Sequence, residues 1–64
     1  MNKDKKLSQE IVIGGVYGQT ITGTLFTYKV LEYKGVFKEN KYYLVENIET
    51  NFKQVISQIE LHDI

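Results

Sequence analysis

Thr20-Ile21-Thr22-Gly23-Thr24-Leu25-Phe26-Thr27-Tyr28-Lys29-Val30-Leu31-Glu32-Tyr33 is a run of β-branched and aromatic residues with scarcely a break. Such side chains pack well on a pleated surface and lose rotamer freedom in a helix. The stretch therefore reads as one long strand over 20–33. Its alternation changes phase: Ile21, Gly23 and Leu25 share one face, and Phe26, Tyr28 and Val30 share the other. Successive side chains of a strand point to opposite faces. A core that draws on both Leu25 and Tyr28 thus requires a bend or bulge between them.

Upstream, Glu10-Ile11-Val12-Ile13 opens a first strand over 10–17, and Gly14, Gly15 and Gly18 permit backbone geometry closed to other residues. The turn into the long strand is expected at Gly18-Gln19. Residues 1–9 are polar and form a lead-in with room for one helical turn over 3–8. Downstream, 34–41 is a polar connection with Gly35 and Asn40 as turn formers. A third strand follows over 42–49, a tight turn at Thr50-Asn51, a fourth strand over 52–58 and a short last strand over 59–64. Phe52, Val55, Ile56 and Ile59 also stand at helical spacing, but the segment is short, β-branched and without alanine, which favours a strand. The expectation is one all-β domain over 10–64, a small five-stranded barrel. SH3-like, OB-like and Sm-like barrels all fit that plan, because closure removes exposed strand edges.

Composition narrows the chemistry. The chain has 64 residues, and a domain of that size buries only about 60 % of the surface its unfolded chain exposes. Disulfides and thiolate metal sites are excluded by the lack of cysteine, and the one histidine, His62, cannot build a metal site alone. Self-association is the remaining supplement to so small a core. Eight basic and eight acidic side chains cancel, which argues against a general nucleic-acid coater. No secretory signal or membrane-length apolar run is visible, so the expected setting is cytoplasmic, with no membrane partner. No cofactor is implied. Catalysis lacks its parts: Ser-His-Asp and Cys-His groupings cannot be assembled, and Gly14-Gly15-x-x-Gly18 lacks the Lys-Ser/Thr of a phosphate loop. The expected protein is a binding domain and not an enzyme.

Two motifs point further. Gly18-Gln19-Thr20-Ile21-Thr22-Gly23-Thr24-Leu25-Phe26-Thr27-Tyr28 reads G-x-x-h-x-G-x-h-x-x-aromatic, with h apolar. Phe52-Lys53-Gln54-Val55-Ile56-Ser57-Gln58-Ile59 reads aromatic-Lys-x-x-Ile-Ser-x-apolar. In this order they resemble the two signatures of the Sm/LSm family, in particular its bacterial Hfq branch. The resemblance covers about a third of the chain by motif. The chain departs from the pattern at Lys29, where the family has an acidic residue, and at Gln54, where it has histidine. It also has little room for the family's amino-terminal helix, and its segment between Lys29 and Phe52 is longer. It resembles a divergent member.

The resemblance implies a ring of subunits that binds RNA. Carried onto this sequence, it offers Lys53 for phosphate or base and Gln54 as a polar base reader. On the other face it offers Gly18, Gln19, Thr20 and Thr22. The competing reading is an SH3-like protein-interaction module, adaptor or inhibitor, a class that includes phage-encoded proteins. It would act through exposed aromatics among the five tyrosines and three phenylalanines. Tyr33, Phe37 and Tyr43 are the candidates. Structural readings stand beside both: a strand lysine is ordinarily a solvated side chain, Gly18 and Gly23 serve turns or packing, and Ile56 and Leu61 belong in the core.

Overall fold

Residues 10–64 are described by the structure, a computed structural model. The lead-in over 1–9 lies outside them. The chain forms β1 (Val16–Ile21), β2 (Thr24–Phe37), β3 (Asn40–Asn47) and β4 (Lys53–Ser57), antiparallel neighbours in one open sheet of order β1-β2-β3-β4. A 3-10 turn over Gln58–Glu60 follows β4. The final strand expected over 59–64 is reduced to one bridge, in which Gly18 and His62 exchange two backbone hydrogen bonds of 2.8 Å.

Register follows from the alternation of apolar and polar side chains. Tyr17 pairs with Tyr28, Val30 with Val45, and Tyr43 with Ile56, so one face of the sheet carries the core. Ile11 and Leu61 complete it from outside the strands, and Phe26 packs against its margin. Val30, Val45 and Leu61 are fully enclosed. Burial of each such side chain is worth about 1.5–3 kcal/mol, which in so short a chain makes every core position matter. The strand expected over 52–58 forms over Lys53–Ser57, with Gln58 already in the 3-10 turn, and Ile56 and Leu61 are buried as expected.

Several features differ from expectation, among them the end of β3, which stops at Asn47 and not at 49. The first strand does not begin at Glu10: Gly15 N–H donates to the Val12 carbonyl at 2.9 Å, and Gly14 holds φ +90°. A turn therefore precedes β1, with glycine at the position that requires a positive φ. The β1–β2 turn lies at Thr22-Gly23 (φ +44° and +83°) and not at Gly18-Gln19. Two positive φ values in a two-residue loop give the twist that antiparallel strands need. Gly18 instead serves close packing, since a Cβ there would stand 2.8 Å from Leu25 Cδ1 and 2.9 Å from His62 Cε1.

The expected bulge between Leu25 and Tyr28 is missing because Leu25 is half-exposed on the open face and draws on no core. The register shifts come later, between Val30 and Glu32 and between Tyr33 and Gly35. Finally, 34–41 is mostly strand. β2 and β3 continue to Phe37 and Asn40, leaving only Lys38 and Glu39 as the loop. The β3–β4 connection is organised by Asn47, whose Oδ1 accepts from the Glu49 and Thr50 N–H groups at 2.8 and 3.1 Å.

Candidate functional site

Two surfaces gather the residues that the sequence singled out. The first lies where the carboxyl-terminal segment meets β1. Gln19, Thr20, Ile21 and Thr22 from β1 and its turn face Ile59, Glu60 and His62 across an open groove of ≈ 590 Å³. Gln19 Nε2 donates to Glu60 Oε1 at 2.8 Å, and Thr20 Oγ1 lies 3.0 Å from His62 Nε2. His62 Nδ1 is 2.9 Å from the Asp63 carbonyl, which can only accept, so Nδ1 carries a proton and orients the ring. Three expected contact residues thus line one groove, and Gly18 lies beside them beneath Leu25 and His62.

The other two expected RNA contacts are on β4, at the opposite edge of the sheet, and diverge from each other. Gln54 faces the core side, where its Nε2 donates to the Tyr28 hydroxyl at 3.1 Å. Lys53 is exposed on the other face, directly across from Glu46, which is itself across from Lys29. Glu46 Oε2 also accepts from Asn51 Nδ2 at 2.9 Å. Lys53 therefore stands in a row of alternating charge, where part of its field is cancelled by its neighbour.

The second surface is the far end of the β2–β3 hairpin. No residue of 34–41 is buried. Val36 and Phe37 are 61 % and 62 % exposed, and Tyr33 is 47 % exposed. Two ring contacts fix this end: Tyr33 lies 5.4 Å from Tyr43 and Phe37 lies 6.2 Å from Tyr42, centroid to centroid. Lys38 Nζ stands 5.6 Å over the Phe37 ring. Two ion pairs lie along this end of the hairpin, Lys34–Glu32 at 3.6 Å and Lys41–Glu10 at 3.9 Å.

Tyr33 and Phe37 are thus exposed as expected, but Tyr43 is not. It is 6 % exposed because its side chain points to the core face beside Ile56, while its neighbour Tyr42 takes the other face. The sequence reading missed Val36, Ile59, Glu60 and His62. An exposed valine in a strand carries no signal of its own. Nothing local marks Glu60 or His62 as neighbours of β1, since the contact spans about forty residues of chain. Among the described residues no group of three His, Cys, Asp or Glu is placed to hold a metal ion, and no helix is long and apolar enough to cross a membrane. No family model, curated protein or solved structure matches the chain.

Proposed function

We propose that this chain is a small, non-enzymatic protein-binding domain of SH3-like plan that grips its partner with the tip of the β2–β3 hairpin. The observation that carries this reading is the exposure of Val36 and Phe37 on a segment that buries no residue, with Tyr33 exposed at its base. Consecutive in the ladder, Val36 and Phe37 point to opposite faces, so the tip presents apolar side chains on both. Exposed anchors of this kind, aromatic ones above all, are where protein interfaces draw much of their affinity. The ring contacts with Tyr42 and Tyr43 reduce the ordering cost of binding. The meander of four strands, the 3-10 turn and the return of His62 to β1 support an SH3-like barrel as the plan. The Sm-like, RNA-binding reading has less support, because the Gln54 amide is engaged by Tyr28, Gly18 is covered, and Lys53 faces Glu46.

The test is affinity capture from the native cells with four baits: the natural chain, Val36→Ser, Phe37→Ser and Lys53→Ala, each with and without ribonuclease. The expected result is one protein retained by the natural chain and by Lys53→Ala regardless of ribonuclease, and lost or much reduced with Val36→Ser and Phe37→Ser. Capture that depends on Lys53 or on intact RNA would overturn the proposal in favour of RNA. Equal capture by all four baits would remove the hairpin from the interface.

A further inference from the structure

The groove beside β1 has a geometric origin that gives it a chemistry. Gly18 and His62 are antiparallel partners. Continued by two and three residues, that register would set Thr20 opposite Glu60 and Ile21 opposite Ile59. The chain instead coils into the 3-10 turn over Gln58–Glu60 and peels away from β1. A wedge opens between them. Along an antiparallel strand every second residue directs its N–H and C=O to the same edge. Since Gly18 points its pair at His62, Thr20 points its own into the wedge, where neither group has a partner among the described residues.

Charge and apolar surface in the wedge are equally specific. Residues 16–27 contain no charged side chain. The one full charge among the lining residues is Glu60, held by Gln19 through Oε1, while its Oε2 has no partner among the described residues. Ile21 and Ile59, 48 % and 63 % exposed, form apolar walls. A carboxylate in a groove that also exposes apolar surface fits a side chain that has a long methylene stem and a cationic head. Unpaired strand groups beside it fit an extended main chain.

We infer that the wedge between β1 and the 3-10 turn is a second binding site, which receives an arginine or lysine side chain on an extended segment of a partner protein. The cation meets Glu60 Oε2, the stem lies between Ile21 and Ile59, and the segment's backbone bonds to Thr20. This site is separate from the hairpin tip, so one partner can engage both, and the weak grip of each is then reinforced by the other.

The test is a titration of the full isotope-labelled chain, followed by amide NMR, with a capped pentapeptide holding a central arginine between valines and threonines. A second peptide carries citrulline, which keeps the shape and loses the charge. Saturable shifts are expected at Gln19, Thr20, Ile21 and Glu60. The citrulline peptide and a Glu60→Gln chain should each bind about three- to fivefold more weakly, as for a partly exposed ion pair. Added salt should erode the difference. Glutamine keeps an oxygen for Gln19, and an unchanged spectrum elsewhere confirms that the variant folds. Absence of saturable shifts, equal binding of citrulline, or indifference to Glu60→Gln would each overturn the inference. A Phe37→Ser chain should bind the arginine peptide as the natural chain does, so a failure here is distinct from a failure at the hairpin.

Discussion

Lys38 and Glu39 hold φ values of +52° and +69°, both in the left-handed region. For a side chain with a Cβ that conformation costs roughly 1–2 kcal/mol per residue. The two-residue loop needs it at both positions, and Asn-Gly would ordinarily fill them. Glu39→Gly should therefore raise the unfolding free energy by about 0.5–1 kcal/mol in urea titration, offset in part by the greater freedom of glycine in the unfolded chain. A loss of stability would show that the loop has another shape. The same residues explain why the sequence misplaces this turn: Lys-Glu carries no turn chemistry, whereas Gly35 and Asn40 do and flank it. Gly18 is the converse case. A glycine that avoids a clash with Leu25 and His62 is indistinguishable in sequence from one that turns the chain.

Among the elements, the carboxyl-terminal segment has the most to do with the least backbone pairing. One bridge at Gly18 ties it to β1, and Leu61, 1 % exposed, fastens it into the core. Leu61→Ala should cost about 2–4 kcal/mol, the range for truncating an enclosed leucine. Hydrogen exchange should then accelerate most at the Gly18 and His62 amides, with β3 exchanging at the rate set by global unfolding. Uniform acceleration at all amides would mean that the segment does not open separately. Strand content was legible, because β-branched and aromatic residues mark most of 20–33 and 42–47 as strand. The turn at Thr22-Gly23 nevertheless splits the first of these runs, and β3 stops at Asn47 and not at 49. The wedge was not legible. It depends on where a tail lands after crossing the sheet, and on a 3-10 turn that Ser57 caps through a 3.3 Å hydrogen bond to the Ile59 N–H.

At the scale of the molecule, more large apolar side chains are exposed than buried among the described residues: thirteen against eight. A domain this small cannot enclose them all. Scattered ones need no explanation, but those that gather do. They gather at the hairpin tip, where the charges pair and sum to little, and at the walls of the wedge, which holds the single charge of Glu60. That pattern favours contact with a particular surface over long-range attraction to a polyanion. The most direct test of hairpin-centred binding is photocrosslinking in the native cells, with benzoylphenylalanine in place of Phe37 in one chain and of Lys53 in another. A discrete protein adduct at position 37 and none at position 53 is the predicted result. An RNA adduct at position 53 with nothing captured at position 37 would contradict it.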